Sequence, residues 1–290
     1  MNDFKTTRSV VITGASTGIG WATAKLLLHR GLRVFGSVRK QPDLDRLKAT
    51  FCTNFTPLLF DVTDEAAVLA AAREVRAALD GGTLAGLVNN AGIGITGPLL
   101  ELSANEFRRQ MEVNLIGPIM ATQAFGPLLG SDQSLTGPKG RIVMISSVSG
   151  KSGFPLLSAY TASKHAIEGL SESLRREMML FGIDVIIVAP GIVKTPIWSK
   201  ADGVDISAYR NSPHFLALEK FCKFMLGLSE TGLPPERIAE CVAEALMSKS
   251  PKMRYSIAPD PMPQLVMAVL PKRAVDKIFA KRLGLSPPTW

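Results

Sequence analysis

Residues 9–20 read SVVITGASTGIG, and this stretch decides the fold. Positions 9–13 form a short β-branched run, which favours a strand. The glycine-rich segment that follows leads into a helical pattern extending to about Gly31. A strand, a glycine-rich turn and a helix in this order are the context that a dinucleotide-binding turn requires. Glycines that serve only as a turn are the alternative interpretation.

Three glycines in this turn have separate physical roles, although their spacing, G-x-x-x-G-x-G, is a variant of the usual G-x-G-x-x-G. Gly14 permits the tight turn, Gly18 lets the backbone approach a pyrophosphate, and Gly20 lets the helix pack close to the strand. The N-terminus of the helix then offers unpaired N–H groups and a positive dipole end to the phosphates. The same turn supplies three further candidate contacts, which are Ser16, Thr17 and Ile19.

Tyr160 and Lys164, in the segment Y-T-A-S-K, form the second informative feature. Residues four apart lie on the same face of a helix, and the stretch from Pro155 to Phe181 has a helical pattern. A free tyrosine, with a pKa of about 10, is a poor proton carrier at neutral pH. A nearby ammonium favours the phenolate, so we expect Lys164 to lower the pKa of Tyr160 and make it a general acid or base. Taken alone, such a pair is more often a solvated helix face.

Four more marks follow in order along the chain, after apolar strands or within helical stretches. They are Asn89-Asn90-Ala91-Gly92, Asn114, Ser147 and Pro190-Gly191. Together with T-G-x-x-x-G-x-G at 13–20 and Tyr160-x-x-x-Lys164, they resemble the short-chain dehydrogenase/reductase family. The resemblance covers residues 8–195 strongly and the strand near Tyr255 loosely.

This resemblance implies catalytic roles for four side chains. Tyr160 would be the general acid in carbonyl reduction and the base in alcohol oxidation, while Lys164 would lower its pKa and hold the nicotinamide ribose. Ser147 would hydrogen-bond the carbonyl oxygen and stabilise its developing charge. Asn114 would support a water that links Lys164 to solvent. His165 is turned roughly 100° away from Lys164 on the helix and is expected to be a packing or surface residue.

The resemblance also places cofactor contacts at several strand ends. Asp61 and Val62, after the third strand, would cap the adenine with a carboxylate and a backbone amide. Asn89 would lie at the ribose edge, with a turn asparagine as the alternative. The remaining implied contacts are Ala91 and Gly92, and then Pro190, Gly191, Val193 and Thr195 from a segment expected to cradle the nicotinamide carboxamide.

The end of the second predicted strand indicates which dinucleotide binds. NAD is recognised there by an acid that accepts from the adenosine 2′-hydroxyl. In this chain Val38 stands where the acid would be, and Arg39 follows it. Arginine offers a planar fork to a 2′-phosphate, so NADP(H) is expected rather than NAD(H). A solvated strand end is the alternative for Arg39.

The order of predicted elements indicates an α/β fold. Strands are predicted at 9–13, 32–38, 56–60, 84–89, 140–146, 183–189 and 254–257, and helices at 18–30, 42–50, 64–79, 103–129, 157–181, 213–227 and 235–248. Alternating strands and helices predict a parallel sheet with right-handed crossovers. The resemblance implies a doubly wound Rossmann fold of seven strands in the order 3-2-1-4-5-6-7. No linker interrupts residues 1–290, so a single domain is expected, with residues 8–195 as its cofactor and catalytic core.

Composition argues against several other classes of protein. Hydrophobic residues make up 46% of the 290, ample for a buried sheet, and no apolar stretch reaches the ~18 residues that a bilayer span needs. The three cysteines (Cys52, Cys222, Cys241) are far apart and show no metal spacing, which predicts a reduced, cytoplasmic protein without a metal site. Residues 1–8 lack the apolar stretch of a signal peptide. The net charge of +8 comes without a nucleic-acid motif, so no nucleic acid partner is expected.

Residues 196–233 are expected to form a helical substrate lid. Ser212-Pro213 predicts an N-cap and a first helical position, and the helix that follows is apolar on more than one face. A lid that lines a pocket for a bulky apolar substrate is one interpretation, with a steroid-, retinoid- or long-chain-like carbonyl or alcohol as its class. A buried or dimer-facing helix is the other.

Residues 251–290 form a basic C-terminal segment with seven basic and two acidic residues. Interleaved apolar residues make peripheral contact with a membrane one interpretation, and a solvated helix beside the pocket the favoured one. Small and apolar residues on the second face of the helix at 157–181, among them Ala166 and Gly169, predict a homodimer or homotetramer.

The sequence as a whole predicts an NADP(H)-dependent oxidoreductase. It would transfer a hydride between the nicotinamide and the carbonyl or secondary alcohol of a bulky apolar molecule. The alternative is a non-catalytic NADP(H)-binding sensor or scaffold of the same fold. Such proteins usually lack the tyrosine or the lysine, whereas this chain keeps Tyr160 and Lys164.

Overall fold

The computed structural model describes residues 8–51, 53–195, 206–260, 266 and 269–285. Seven strands form one parallel sheet in the order β3-β2-β1-β4-β5-β6-β7. They are β1 (Ser9–Ile12), β2 (Arg33–Val38), β3 (Phe55–Leu59), β4 (Gly86–Asn89), β5 (Arg141–Ile145), β6 (Asp184–Pro190) and β7 (Arg254–Ile257). This order confirms the predicted doubly wound Rossmann sheet.

Helices of the described residues connect these strands and cover the sheet. They are α1 (Gly18–His29), α2 (Gln41–Thr50), α3 (Glu65–Leu79), α4 (Ala104–Met111), α5 (Gly117–Phe125), α6 (Ser158–Met178), α7 (Phe215–Thr231), α8 (Pro235–Met247) and α9 (Lys272–Leu283). Two of them begin at side-chain caps: Asp64 accepts from the Ala67 N–H, and Ser103 forms a capping box with Glu106.

Both faces of the sheet are buried. Because successive side chains of a strand point to opposite faces, Val10 and Ile12 of β1 enter one core and Val11 enters the other. The first core is closed by residues of α1 and α8, such as Leu27 and Val242. The second is closed by α3, α5 and α6. The near-continuous apolar strands are explained by this double covering.

A third apolar cluster joins α7 and α9 to the start of α6. Leu218 and Phe221 of α7 pack with Leu283 of α9 and with Leu157, one turn before Tyr160. The basic C-terminal helix therefore lies beside the pocket, which is the favoured of its two predicted positions. Helix α7 buries one face in this cluster, and other residues of the helix line the cavity described below.

Two local predictions need correction. The segment predicted as one helix at 103–129 is helical but is not a single α-helix, because a π-helical turn at Glu112–Ile116 joins α4 to α5. Ser212 is not the N-cap of α7, because the helix begins two residues after Pro213. The Ser212 hydroxyl instead accepts from the His214 N–H at 2.9 Å and donates to Glu101, forming a turn ahead of the helix.

Some predicted features lie outside the described residues. These are the N-terminal residues 1–7, Cys52, the first part of the lid at 196–205, and residues 261–265, 267, 268 and 286–290 of the basic segment. Among the helices that are described, none combines the length and the apolar character needed to cross a bilayer.

Candidate active site

A cavity of about 940 Å³ opens along the carboxyl edge of the sheet. Residues that follow β1, β2, β3, β4, β5 and β6 all contribute to its wall, because the carboxyl ends of parallel strands meet at one edge. In open α/β sheets, ligands bind in this crevice. The glycine-rich turn lies at one end of the cavity and the apolar helices α7 and α9 lie at the other.

The glycine-rich turn needs glycine for conformation and for space. Gly14 and Gly18 have φ angles of +68° and +58°, which side chains rarely tolerate. A Cβ at Gly20 would lie 2.2 Å from the Gly14 carbonyl oxygen, so α1 can approach β1 only with glycine there. Thr17, before α1, makes no side-chain cap to the first turn, whose N–H groups suit phosphate oxygens.

Asn90 and Thr13 hold the turn against the end of β4. The Thr13 hydroxyl accepts from the backbone N–H groups of Asn90 and Ala91, both at 3.0 Å. The Asn90 amide donates to the carbonyl oxygens of Thr13 at 2.9 Å and Gly14 at 3.0 Å. From the other side, the Gly14 N–H donates to the Ser37 hydroxyl at 2.9 Å. Five hydrogen bonds thus fix the turn.

Charged side chains surround the far end of the cavity, beyond β2 and β3. The Arg39 guanidinium lies 3.8 Å from the Asp61 carboxylate, and both side chains are partly exposed. Asp61 also accepts from the N–H and the hydroxyl of Thr63 at 3.0 and 2.9 Å, which fixes the carboxylate. Arg46 of α2 donates to the Ser16 carbonyl oxygen at 2.7 Å and so ties that helix to the glycine turn.

These features fit a dinucleotide. The cavity extends from the glycine turn to the polar group at Tyr160. A Cβ added at Gly14 would lie 3.0 Å from the Cα of Ala91, so glycine keeps this part of the cavity open. Arg39 would hold the adenosine end, the turn and the first turn of α1 would hold the pyrophosphate, and Lys164 would hold the nicotinamide ribose.

Tyr160 and Ser147 lie together at the centre of the cavity wall. Both are buried, and Ser147 hydrogen-bonds the Tyr160 hydroxyl. Ser147 is held in turn by the Ser149 N–H, which donates to its oxygen at 3.1 Å. Burial raises the pKa of Tyr160, and the hydrogen bond from Ser147 opposes that rise.

The net direction of the Tyr160 pKa is therefore upward, and a lowering by Lys164 remains a prediction. The Lys164 ammonium lies 5.8 Å from the centroid of the Tyr160 ring and donates to the Ile145 carbonyl oxygen at 2.9 Å. Loss of hydration disfavours the charged phenolate and is the main cause of the raised pKa of Tyr160. Lys164 itself is buried, and burial lowers its pKa to about 8 while the charge of Glu168 acts in the opposite direction.

Asn114 projects from the π-helical turn and fixes the segment after β4 to α6. Its amide oxygen accepts from the Ile93 N–H at 2.9 Å, and its amide nitrogen donates to the Ile93 carbonyl and the Ser163 hydroxyl, both at 3.0 Å. Ser163 donates onward to the Tyr160 carbonyl oxygen at 2.7 Å. Asn114 thus connects the wall of the cavity to the backbone of the tyrosine. A π-helical turn often marks such functional positions.

A buried carboxylate behind the catalytic group was missed by sequence reasoning. Glu168 lies one turn beyond Lys164 on α6 and accepts from the Ser146 hydroxyl at 2.6 Å. Arg254 of β7 donates to both of its oxygens at 2.8 and 3.1 Å, and Lys151 lies 3.6 Å away. The four-residue spacing of Tyr160, Lys164 and Glu168 was a signal that could have found the glutamate. Its arginine partner has no such signal, since it is 86 residues away.

Most residues predicted for the site do line the cavity. They are Gly14, Ser16, Thr17, Gly18, Ile19, Arg39, Asp61, Val62, Ala91, Gly92, Ser147, Tyr160, Lys164, Pro190, Gly191, Val193 and Thr195. Gly20 and Asn114 act from behind the wall. The Asn89 side chain is directed away, since it is buried and donates to the Thr122 hydroxyl at 3.0 Å. Its neighbour Asn90, which carried no predicted role, lines the cavity instead.

The opposite end of the cavity is apolar. Its wall includes Phe154 and Leu157 before α6, together with Phe224 and Met225 of α7. Val266 and, on α9, Ile278 and Phe279 add to this apolar wall from the C-terminal segment. The rings of Phe154 and Phe279 meet edge to face with centroids 5.5 Å apart, which closes this end between α6 and α9.

Residues 8–203 match the model of the short chain dehydrogenase family, and the chain belongs to this family. It is an oxidoreductase that acts between alcohol and carbonyl groups. The chain is similar to the NADPH-dependent 3-dehydrocapnine reductase of Ornithobacterium rhinotracheale, with 38% identity over 95% of this chain and 97% of the relative. Retinol dehydrogenase 5 of Homo sapiens is 32% identical over 93% of this chain and 87% of the relative. A short-chain dehydrogenase from Streptomyces avermitilis has a similar structure, with a TM-score of 0.76 and 28% identity over 96% and 97% of the two chains.

Glu168→Gln should move the pH dependence of activity. Removing the carboxylate removes the charge that raises the pKa of Lys164 and leaves the Arg254 cation unpaired nearby, so the lysine should lose its proton at lower pH. We expect the alkaline limb of the profile of kcat/KM against pH to begin below that of the parent protein.

Glu172→Gln is the matched control for this prediction. Glu172 lies one turn further along α6, is exposed, and also approaches Lys151, at 3.9 Å. Its substitution should leave the profile in place, and Glu168→Asp should restore part of the parent profile. An unchanged alkaline limb in Glu168→Gln would show that the carboxylate is only a structural anchor.

Proposed function

We propose that this protein is an NADP(H)-dependent oxidoreductase of a bulky apolar carbonyl compound or secondary alcohol. The observation that supports this most directly is one continuous cavity that joins Arg39, the glycine turn and Tyr160 to an apolar end. The two similar proteins named above, one an NADPH-dependent reductase and one a retinol dehydrogenase, agree with this proposal. The bound nicotinamide supplies or accepts the hydride.

The residues of the chain perform the proton transfer and the positioning. Tyr160 donates a proton to the oxygen of a carbonyl substrate, or removes it from an alcohol, and its raised pKa keeps the phenol protonated for donation. Ser147 donates a hydrogen bond to the same oxygen as negative charge develops there, a contact commonly worth a few kcal/mol. Lys164, held by the Ile145 carbonyl, lies where its positive charge favours the phenolate left after proton donation. Asn114 keeps the tyrosine backbone in register through Ser163.

The size and character of the apolar end of the cavity support a bulky apolar substrate. Aromatic and aliphatic side chains from α7, from α9 and from the segment before α6 line it, so a small polar substrate would leave much of this surface unfilled. Burial of apolar substrate surface is favourable by about 25 cal/mol per Å². Leu218 and Phe221 fix α7 to the core, so the same helix can present Phe224 and Met225 to the ligand.

Tyr160→Phe should abolish turnover and leave NADPH affinity within a few-fold of the parent value. The hydroxyl carries the proton, whereas the glycine turn and Arg39 hold the nucleotide. Initial rates on a panel of apolar ketones and alcohols, with NADPH titrated by fluorescence, provide the measurement. A variant that keeps more than about a tenth of the parent rate on the best substrate would refute the role of Tyr160.

Arg39→Ala should weaken NADPH by about 1.5–3 kcal/mol, as expected for the loss of a charge-assisted contact to the 2′-phosphate. The affinity for NADH should hardly change. Calorimetric titration of each cofactor measures both effects, and Lys48→Ala, an exposed cation on α2 away from the cavity, controls for net charge. Equal losses for NADPH and NADH would contradict recognition of the phosphate by Arg39.

We also propose that α6 forms a symmetric interface between two copies of the chain, with a homodimer or homotetramer as the result. On this helix Gly169 and Ser173 are exposed and Leu170 is half-buried, which leaves a surface suited to close helix contact. Light scattering at micromolar concentration without detergent should give a multiple of the 31.2 kDa chain mass, and Gly169→Arg should reduce it. A parent protein of one chain mass would contradict the interface, and solubility only in detergent would point to peripheral membrane contact.

We place the protein in the cytoplasm, where its thiols at Cys222 and Cys241 stay reduced.

A further inference from the structure

One cation lies at the apolar end of the cavity. Arg282 of α9 lines the wall together with Ile278 and Phe279, which lie four and three residues earlier on the same helix face. The other cations of the wall are Arg39 and Lys40 at the far end and Lys164 at the catalytic group. Among the described residues of the wall, Arg282 is the cation that α9 contributes.

The guanidinium of Arg282 is held in a defined position. It lies over the ring of Phe224, with its central carbon 4.1 Å from the ring centroid. Stacking on an aromatic face leaves the N–H groups at the edge of the guanidinium available for hydrogen bonding. Within the described part of the chain, no carboxylate comes within ion-pair distance of this group. The position combines a fixed cationic fork with an apolar wall.

The charges around Arg282 favour an anion. Lys281 is its neighbour on α9, and the Lys220 ammonium of α7 would lie 2.8 Å from a Cβ placed at Gly284, two residues further on. Two acidic residues of the same region oppose this positive charge. Asp260 also lines the cavity, and Asp276 lies on α9. Arg282 is itself exposed, as is Lys281, so these cations lie where the apolar end of the cavity meets solvent.

We propose that Arg282 binds an anionic group on the substrate, at a position remote from the carbon that reacts at Tyr160. This deepens the proposed function, on which it rests for the reaction itself. The substrate class is then an amphiphile: a ketone or secondary alcohol in an apolar skeleton that carries a carboxylate, sulfonate or phosphate. Such groups match the guanidinium fork in geometry and charge. A neutral apolar molecule of the same length would contact the apolar wall but would leave the Arg282 guanidinium without a bound anion.

A purely structural role is the competing explanation for Arg282. Its stacking on Phe224 could serve only to hold α9 against α7, beside the buried Leu283. In that case its replacement would lower the stability of the lid and weaken charged and neutral ligands alike. The two explanations therefore differ in ligand dependence.

Binding of simple amphiphiles tests the proposal without requiring turnover. Calorimetric titration with decanoate, decylphosphonate and decan-1-ol, with NADPH present at saturation so that no ligand can react, compares an anionic end with a neutral one on the same chain. The parent protein should bind either anion at least about tenfold more tightly than the alcohol, as expected when one charge-assisted contact of about 1.4 kcal/mol or more is added.

Arg282→Met, which keeps an unbranched apolar stem for contact with Phe224, should remove that preference and leave decan-1-ol within about twofold. Arg282→Lys should keep part of it, since it keeps the charge but not the fork. Lys281→Met is the matched control, because it removes an exposed cation from the same helix outside the cavity wall, and it should change neither affinity. Thermal unfolding of each variant checks that α9 stays in place.

Two results would overturn the proposal. One is a parent protein that does not distinguish the anions from the alcohol, and the other is an equal loss of all three ligands in Arg282→Met. The protein could instead prefer anions through Arg282 and yet turn over no ketone or alcohol. That result would uphold the binding site and refute the proposed reaction. A difference between decanoate and decylphosphonate would identify the anion that the fork prefers.

Discussion

The close approach of α1 to β1 is the contact on which the rest of the site depends. Gly20 touches the Gly14 carbonyl where any side chain would collide, and this brings the N-terminus of α1 to the carboxyl edge of the sheet. Asn90 and Thr13 then hold the turn to the end of β4 by four hydrogen bonds. A looser packing of α1 would move the phosphate-binding end of the cavity away from the strands that carry the catalytic residues.

Helix α6 sets the electrostatics of the catalytic group through a four-residue repeat. Tyr160, Lys164 and Glu168 face the sheet one turn apart, so a phenol, an ammonium and a carboxylate are buried in series. Burial acts against the charged form of each, raising the pKa of Tyr160 and lowering that of Lys164. Glu168 opposes the effect on the lysine and is itself stabilised by Arg254 and Ser146. The carboxylate behind the lysine thus acts against the effect of burial on the Lys164 pKa.

The sequence was sufficient where the interactions are local. The glycine turn and the Tyr160–Lys164 pair follow from short motifs whose spacing fixes their geometry, and the sheet order follows from the family resemblance that these motifs carry. It was insufficient where geometry depends on distant parts of the chain. Arg254 reaches Glu168 only because β7 adds to the edge of β6, and Asn89 turns away because Thr122 of α5 is packed behind β4. The raised pKa of Tyr160 was not foreseen for the same reason, since the tyrosine is buried among residues far along the chain, such as Leu218 and Leu283.

The two ends of the cavity place different demands on the chain. The cofactor end is built from turns directly attached to strands, so its geometry is determined by the rigid sheet. The substrate end is built from α7 and α9, which contact the rest of the molecule mainly through one small apolar cluster around Leu218 and Leu283. Few contacts of this kind make a region easier to open than a sheet core. Entry of a long apolar molecule requires such a region, and an anchor at Arg282 would hold one end of the molecule while the other reaches Tyr160. The reacting carbon would then be selected by the length of chain between the anion and the carbonyl, a specificity that apolar walls alone cannot supply.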